Sequence, residues 1–300
     1  MGNGRFHHVS VLMGGLSSER EVSLRSGKSV AEGLRQAGYQ VVEVDVRGRE
    51  FEVPRHVEAV FVALHGEFGE DGQIQCILEE RRVPYTGAGP EGSKLAFDKD
   101  LAKKMFLKHN IPTPEYELLR SGQQRTLSLP VVVKPVCEGS SIGVHRVTRP
   151  SEWADAFADA LAHNGEVIVE RYIEGKELTV GVVGDELLPV IEICAPDSNY
   201  DYMAKYTKGV TEYLVPAPLD EQLTQECQQC AWQTFQALRC RGFGRIDLRM
   251  SLSGRFYMLE LNTIPGFTET SLLPKAALAA GCDFPTLCDR IMCGATLESV

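Results

Sequence analysis

The chain has 300 residues, of which 43% are hydrophobic and 24% are charged. This composition is that of an ordinary globular protein, and the length allows two or three cores of typical size. Acidic residues outnumber basic ones by 41 to 31, and the net charge of −10 disfavours a nucleic-acid or anionic-membrane partner, although a small anionic substrate can still bind in a locally basic pocket.

Neither export nor membrane insertion is expected from the sequence. No apolar run approaches the ~20 residues that a spanning helix needs, and residues 1–8 contain no apolar signal core. The nine cysteines are odd in number and irregularly spaced, which favours reduced thiols in a cytosol over a disulfide framework. Cys227 and Cys230 lie in a helical pattern without a second pair or a nearby His, so we interpret them as core residues.

The first part of the chain alternates between strands and helices. Apolar runs predict three strands, at residues 9–13, 41–46 and 59–64. Between the first two, Val30, Leu34 and Ala37 have helical spacing, and Ser18 with Glu21 predicts a capping box at the start of that helix. A strand, a Gly-containing loop and a helix in this order indicate a small parallel α/β domain with ligands at the carboxyl ends of its strands.

Two polar residues of this domain are candidates for a binding site. Glu19 precedes the helix, where a carboxylate that only compensates the helix dipole is the simpler interpretation. His65 follows the third strand and precedes a Gly-rich loop, which is a common place for a binding residue. A lone His is as often structural, so the residues themselves leave both interpretations open.

A second unit is predicted to begin near Pro90, with a helix over residues 93–109. Lys134 directly follows the predicted strand at 129–133 and precedes a Gly/Ser loop at 138–144. Small residues let backbone N–H groups approach phosphate oxygens closely, and an ammonium group compensates the phosphate charge. The pattern therefore predicts a phosphate site, although it is not a Walker A motif.

The remaining elements are predicted as helices at 73–82, 151–163 (capped by Ser151), 221–238, 271–280 and 284–292, and strands at 167–169, 178–183 and 187–193. The strand at 167–169 runs into the polar segment 170–177, which could bind adenine and ribose. Residues 196–209 are polar, rich in tyrosine and too long for a turn, so we interpret them as a lid; a disordered surface loop is the alternative.

The stretch 242–266 is the most informative part of the sequence, because its alternating apolar residues predict two strands joined by a turn. Glu260 and Asn262 are two residues apart and so share one face of the second strand, while Asp247 lies on the first. Oxygen-only ligation of this kind suits Mg²⁺ shared with substrate phosphates. Arg245 lies on the face of Asp247, where it is available to a developing negative charge; a solvated hairpin face is the alternative.

This stretch also carries a resemblance to a known family. Arg245-x-Asp247 followed by Glu260-x-Asn262-Thr-x-Pro-Gly resembles the metal-binding strands of ATP-grasp carboxylate–amine ligases, and the continuation into Ser271-Leu272 narrows the resemblance to D-alanine–D-alanine ligases. Other motifs of that family match in the same order at Gly14–Ser23, His65–Gly72, Asp98-Lys99, Lys134–Gly143 and Asp201–Tyr206.

The resemblance implies an α/β and α+β architecture. A parallel α/β (pre-ATP-grasp) domain over residues 1–89 would precede a two-lobed ATP-grasp fold with a central lobe at 90–176 and a C-terminal lobe at 177–300. The implied reaction joins two D-alanine molecules through a D-alanyl phosphate, with ATP as co-substrate, for peptidoglycan precursors. The family also implies two Mg²⁺, which Mn²⁺ can replace, and a cytoplasmic homodimer with no nucleic-acid partner and no membrane insertion.

The same resemblance assigns the site residues. The metal ligands would be Asp247, Glu260 and Asn262. ATP would be bound by Lys99 (by itself most simply a surface lysine), Lys134, Ser141, Glu170, Tyr172, Ile173, Glu177 and Lys205. D-Alanine would be bound by Glu19, His65, Ser271 and Leu272. The catalytic set would be Glu19, Ser140, Tyr206, Arg245 and Gly266, with Tyr206 of the lid joining Ser140 and Glu19.

Three other functions fit part of these observations. A D-alanine–D-lactate ligase shares the fold and the chemistry, but its lid differs from the pattern at 201–206. A different ATP-grasp ligase would fit the metal hairpin but not Gly14–Ser23 together with Ser271-Leu272. A non-catalytic nucleotide-binding module would be expected to have lost a metal ligand or a phosphate lysine, and this sequence has lost neither.

Overall fold

The computed structural model describes residues 5–196 and 210–298. Its helices are α1 (Arg20–Gln36), α2 (Gln73–Glu80), α3 (Pro90–Phe97), α4 (Lys99–Lys108), α5 (Trp153–Asn164), α6 (Glu221–Ala237), α7 (Leu272–Ala279) and α8 (Phe284–Cys293), with a 3-10 turn at Pro150–Glu152. Its strands are β1 (His8–Gly14), β2 (Gln40–Val46), β3 (Ala59–Val62), β4 (Tyr116–Arg120), β5 (Val131–Pro135), β6 (His145–Val147), β7 (Glu166–Arg171), β8 (Gly175–Val183), β9 (Glu186–Leu187), β10 (Ile191–Cys194), β11 (Glu212–Leu214), β12 (Phe243–Ser251) and β13 (Phe256–Asn262).

The first sheet is parallel, in the order β2-β1-β3, and α1 packs against it. The predicted parallel α/β unit is therefore confirmed. Gly14 ends β1 with a φ of +91°, and a Cβ there would lie 2.4 Å from the Oδ1 atom of Asp45. A side chain at Gly14 would collide with Asp45, and the positive φ also favours glycine, so the chain can turn out of β1 close to β2. This turn sets the direction in which the chain approaches α1.

The predicted capping box at the start of α1 is wrong. Glu19, not Ser18, is the N-cap residue, and it makes no side-chain cap hydrogen bond. Instead Ser17 Oγ accepts from the N–H of Glu19 (3.2 Å) and donates to the carbonyl of His65 (2.6 Å). The start of the helix is thus tied to the segment after β3, because a hydroxyl one residue earlier reaches both partners.

The second sheet is antiparallel, in the order β4-β7-β5-β6, and is covered by α5. The predicted strand at 129–133 is displaced to Val131–Pro135, so Lys134 lies within it. The prediction of Ser151 as a helix cap is also wrong. A 3-10 turn precedes α5, and the carboxylate of Glu152 accepts the N–H groups of Thr148 and Arg149 at its start.

The third sheet is antiparallel, in the order β11-β10-β8-β12-β13, with β9 paired to β8. The predicted hairpin is confirmed as β12 and β13, whereas the strand predicted at 187–193 divides into β9 and β10. The single helix predicted over 93–109 is two helices. Asp98 is extended and accepts the N–H groups of Asp100 and Leu101 (both 3.0 Å), so its side chain caps α4 where one helix would have continued.

Buried contacts join these parts of the chain. Helices α3, α4 and α6 contribute to the core of the third sheet, in which Cys227 is fully buried, as interpreted from the sequence. Another core joins the first sheet and α1 to α7 and α8, which close the fold as predicted. Within the described residues, no helix has the length and apolar character needed to span a bilayer.

Three aromatic rings stand where the first sheet meets the third. Phe61 of β3 lies 5.9 Å from Phe243 of β12 and 5.5 Å from Phe267, measured between ring centroids, and none of the three is more than 1% exposed. Phe267 meets both other rings edge to face, and such contacts stabilise the structure beyond the burial of the rings themselves. They fix the position of the segment after β13 against the N-terminal sheet.

Replacing Phe61 by Ala should lower the free energy of unfolding by about 3–5 kcal/mol, because the cavity cannot close between two sheets. Urea unfolding of the whole chain measures this. The matched control is Leu252→Ala, which removes an exposed side chain (79%) and should change stability by less than about 0.5 kcal/mol. Similar losses in the two variants would show that the ring cluster is not a stabilising contact.

Candidate active site

Two cavities meet at the hairpin of β12 and β13. The first, of about 440 Å³, lies between the start of α1, the loop after β3 and the segment before α7. The second, of about 130 Å³, lies between the second and third sheets. Arg245 and Asn262 line the first cavity, Asp247 and Glu260 line the second, and Gly139 lines both. One hairpin therefore forms a wall shared by two separate binding spaces.

The strand register explains how the hairpin gathers these side chains. Arg245 is paired with Asn262 and Asp247 with Glu260, so all four project from one face, as predicted for Glu260 and Asn262. The register shifts after Asp247, where β13 has one extra residue, Leu259. Bulges of this kind redirect side chains beside functional sites.

The carboxylate of Asp247 accepts four hydrogen bonds within this group and from β8. Arg245 donates to it from Nε (2.8 Å to Oδ1) and from Nη2 (2.6 Å to Oδ2). Thr179 Oγ1 donates to Oδ1 (2.6 Å), and Asn262 Nδ2 donates to Oδ2 (2.9 Å). The charge-assisted pair fixes the orientation of both the guanidinium and the carboxylate.

The donor set on this wall suits a hard cation. The set consists of the carboxylates of Asp247 and Glu260 and the amide oxygen of Asn262, whose nitrogen is bonded to Asp247. Among the described residues, three His, Cys, Asp or Glu side chains never come close enough to form a metal cluster. Two carboxylates and one amide oxygen could hold Mg²⁺, which takes its other ligands from water and phosphates.

The second cavity has cationic groups along one side. Lys99 donates to the carbonyl of Glu138 (2.6 Å) and lies 3.6 Å from Glu260. Lys134 lies 2.7 Å from Glu170, which is itself 2.7 Å from Lys103 on its other oxygen. Burial alone would raise the pKa of Glu170, but the two ammonium groups reverse this effect and hold the pKa below its usual value.

Every described residue predicted to bind ATP lines this second cavity: Lys99, Lys134, Ser141, Glu170, Tyr172, Ile173 and Glu177. The loop between β5 and β6 is unusual, because Ser140 and Ser141 both have positive φ (48° and 57°). Two successive left-handed residues that are not glycine are uncommon and concentrate at functional sites. The Gly/Ser pattern of the sequence predicts a loop here, but it does not predict the left-handed conformation of Ser140 and Ser141.

The carboxylate of Glu19 lies deep in the first cavity, where three segments meet. A Cβ on Gly66 would lie 2.9 Å from its Oε2 atom, and one on Gly139 only 2.5 Å from the same atom. Ser140 Oγ donates to Glu19 Oε1. Two of the three members predicted for this network are therefore in contact, while Tyr206, like Lys205, lies outside the described residues.

His65 lines the first cavity, but both of its ring nitrogens have protein partners. Nδ1 donates to the carbonyl of Ile264 (2.9 Å), and Nε2 accepts from Ser26 Oγ (2.9 Å), which in turn accepts the N–H of Phe267 (3.2 Å). Burial lowers the pKa of His65, so the ring is neutral and this tautomer is fixed. His65 thus positions the segment on either side of Gly266.

Glu70 is a site residue that the sequence analysis missed, although it belongs to the matched motif at His65–Gly72. Its carboxyl oxygens accept the N–H groups of Gly66 (2.8 Å) and Ile264 (3.3 Å), so it joins the loop after β3 to the end of β13. Burial, followed by the nearby charge of Glu19, raises the pKa of Glu70 to about 8. The shift favours the protonated form of this carboxyl group at neutral pH.

The far end of the first cavity is the start of α7. Ser271 is its N-cap residue and its Oγ accepts the N–H of Thr268 (3.0 Å), while Leu272 is the first helical residue. The N–H groups of a first helical turn have no partner within the helix and attract anions. Arg25 and Tyr213 also line this cavity and were not predicted, because nothing in their local sequence marks them.

Known proteins match this chain over nearly its whole length. Two family models match, described as "D-ala D-ala ligase N-terminus" over residues 45–88 and "D-ala D-ala ligase C-terminus" over residues 101–293. A D-alanine--D-alanine ligase of Syntrophotalea carbinolica is 48% identical over 97% of this chain and 96% of its own length. One of Methylacidiphilum infernorum is 44% identical over 95% of this chain and 94% of its own.

Solved structures agree with these sequence matches. A D-alanine--D-alanine ligase of Bacillus anthracis complexed with ATP has a TM-score of 0.85 and 29% identity, covering 96% of this chain and 97% of its own. The VanG D-Ala:D-Ser ligase of Enterococcus faecalis has a TM-score of 0.82 and 29% identity, covering 96% and 98%. The arrangement of a parallel sheet before two antiparallel ones is therefore that of the ATP-grasp ligases.

Glu70→Gln should change how stability depends on pH. The pKa of Glu70 rises from its ordinary 4.5 to about 8 on folding, so the folded chain holds a proton that the unfolded chain has lost. The free energy of unfolding should therefore fall as pH rises between these values, by up to about 1.4 kcal/mol per unit. Thermal unfolding at about pH 5 and about pH 8 tests this.

The Gln variant should lose that slope, whereas Glu67→Gln, at an exposed position of the same loop, should keep it. An unchanged slope in Glu70→Gln would mean that Glu70 does not take up the proton.

Proposed function

Because the chain belongs to the D-alanine–D-alanine ligase family, we propose that its two cavities are the amino-acid and ATP sites of one ligase. The chain is an ATP-dependent ligase that joins two D-alanine molecules into D-alanyl-D-alanine for peptidoglycan precursors, releasing ADP and phosphate. The observation that carries the proposal is the hairpin wall, with Arg245 and Asn262 towards one cavity and Asp247 and Glu260 towards the other.

This wall suits the first half of the reaction. A carboxylate is a poor electrophile, so the γ-phosphoryl group of ATP moves to a carboxylate oxygen of the first D-alanine, giving D-alanyl phosphate and ADP. Phosphoryl transfer asks the protein mainly for positioning and charge neutralisation. Lys99 and Lys134 supply positive charge from the second cavity, and Arg245 supplies it from the first.

Asp247, Glu260 and Asn262 would hold two Mg²⁺, or Mn²⁺ in their place. When bound, the ions neutralise the charge of the phosphate oxygens. Glu170, Tyr172, Ile173 and Glu177 would surround the adenine and ribose, and Ser141 would face the phosphates. Lys205 would reach the γ-phosphate from the lid, outside the described residues.

The second half of the reaction uses the first cavity. Glu19 would bind the ammonium group of the first D-alanine, while Ser271 and the N–H of Leu272 would bind the carboxylate of the second. The neutral amine of the second D-alanine attacks the acyl carbon, the C–O bond to phosphate breaks, and the proton lost from the amine leaves with the phosphate. The guanidinium of Arg245 and the N–H of Gly266 would stabilise the oxyanion that forms.

Ser140 would hold Glu19 in place together with Tyr206, and His65 would hold the Gly266 segment in place. A lid over residues 196–209 would exclude the water that otherwise hydrolyses the acyl phosphate. Because this reaction needs no covalent enzyme intermediate, none of the nine free cysteines requires a catalytic role.

Three further features belong to the same proposal. The division into units at 1–89, 90–176 and 177–300 would follow the three sheets, except that β8 of the third sheet begins two residues before the last boundary. The chain would act in the cytoplasm, where ATP is available to the reaction. It would form a homodimer, which is the usual state of the family.

The function is tested by phosphate release from ATP with purified protein. D-Alanine should support turnover, whereas L-alanine should not, because the ammonium, carboxylate and side chain of the mirror-image molecule cannot all occupy the same three positions at once. D-Serine and D-lactate, each offered beside D-alanine, identify the second substrate through the product formed. Turnover with L-alanine equal to that with D-alanine would contradict the assignment.

Glu260→Gln should lower turnover by at least about 10²-fold with the fold intact, because the neutral amide that replaces the carboxylate binds Mg²⁺ more weakly. The Mg²⁺ concentration that gives half-maximal rate should rise as well. The control is Glu186→Gln, an exposed change in the same sheet. A folded Glu260→Gln protein with near-normal rate and Mg²⁺ requirement would exclude Glu260 as a metal ligand.

A further inference from the structure

A buried carboxylate behind the second cavity is shared by two lysines. Glu170 lies 2.7 Å from Lys134 through Oε1 and 2.7 Å from Lys103 through Oε2. The three residues are only 3%, 5% and 0% exposed, respectively. Glu170 and Lys134 line the cavity, whereas Lys103 stands behind them and does not reach it.

The ammonium group of Lys103 is held from several sides. Besides Glu170, it donates to Thr113 Oγ1 (2.7 Å) and lies 5.2 Å from the centre of the Tyr116 ring. Thr113 in turn donates to the carbonyl of Met258 (2.9 Å), next to the bulge of β13. Burial lowers the pKa of Lys103 to about 8, against the opposite effect of Glu170. The Glu170 carboxylate, the Thr113 hydroxyl and the Tyr116 ring all favour the charged form of this group.

Glu170, Lys134 and Lys103 form a triad whose net charge differs from that of the cavity lining. Among the described residues that line the cavity, cationic and anionic side chains are equal in number, five of each, so the lining alone has no excess positive charge. Lys134 and Glu170 by themselves would cancel. With Lys103 the triad has a net charge of +1, and that excess faces the cavity through Lys134, because the ammonium of Lys103 is covered.

We propose that Lys103 is a positioning residue for the phosphates of ATP, which neutralises Glu170 from behind the cavity wall and leaves the charge of Lys134 available to the triphosphate. The proposal rests on the assignment of the second cavity to ATP. Lys103 itself does not touch the nucleotide. Its charge should therefore favour ATP over adenosine, whereas any effect that it has on the base through Glu170 should be the same for the two ligands.

Lys103→Met separates these contributions, because it removes the charge and nearly keeps the length of the side chain. Affinities for ATP and for adenosine are measured by calorimetry at about pH 7 on the whole chain. ATP should bind about tenfold more weakly, the order expected for one unit charge at several ångströms. Adenosine should lose less affinity than ATP, so that the ratio of ATP to adenosine affinity falls.

The control is Lys104→Met, which makes the same change of net charge at the next residue, where the side chain is 60% exposed. It should leave both affinities unchanged, because an exposed charge is screened. If Lys103→Met does not fold, Lys103→Gln, which keeps a donor for Thr113, takes its place.

Adding Glu170→Gln to Lys103→Met tests the charge argument itself, because Lys134 is then no longer neutralised. The ratio of ATP to adenosine affinity should return towards the wild-type ratio. Equal losses for ATP and adenosine in Lys103→Met would show a merely structural role, and no loss for either would also overturn the proposal. A wild-type chain that binds no ATP would overturn the proposed function as well, so the two failures are distinguishable.

Discussion

The ion pair between Arg245 and Asp247 is the contact on which the rest of the site depends. Its side chains are only 13% and 12% exposed, and leaving one of them unpaired in so enclosed a place costs about 3–5 kcal/mol. Because the pair lies on the strand between β8 and β13, its geometry is fixed from both sides. It directs a guanidinium to one cavity and a carboxylate to the other.

Three distant parts of the chain complete the site around this pair. Glu19 comes from the start of α1, Ser140 from the loop of the second sheet, and the contact between them spans 121 residues of sequence. Gly66 and Gly139 leave just enough room for the carboxylate of Glu19. The amino-acid site therefore exists only when the first sheet, the second sheet and the hairpin are packed together, which couples folding of the whole chain to the geometry that the reaction needs.

The features that depend on local spacing could be predicted from the sequence. The two-residue spacing of Glu260 and Asn262 and the alternation in β12 place the wall residues on one face, and the structure agrees. The same kind of reasoning failed where neighbouring polar residues compete. Ser17 reaches His65, so Ser18 does not cap α1, and Asp98 ends one helix by capping the next. Glu70 and Lys103 act through contacts with segments far along the chain, which no local pattern records.

The central claim is that phosphate passes from the second cavity to a carboxylate in the first. D-Alanine labelled with ¹⁸O in its carboxylate tests this directly, because the oxygen that accepts the phosphoryl group leaves with it when the amide bond forms. Mass spectrometry of the inorganic phosphate released with unlabelled ATP in unlabelled water should find one ¹⁸O atom for each dipeptide made. Phosphate without label, released at the same rate as the dipeptide, would contradict the account.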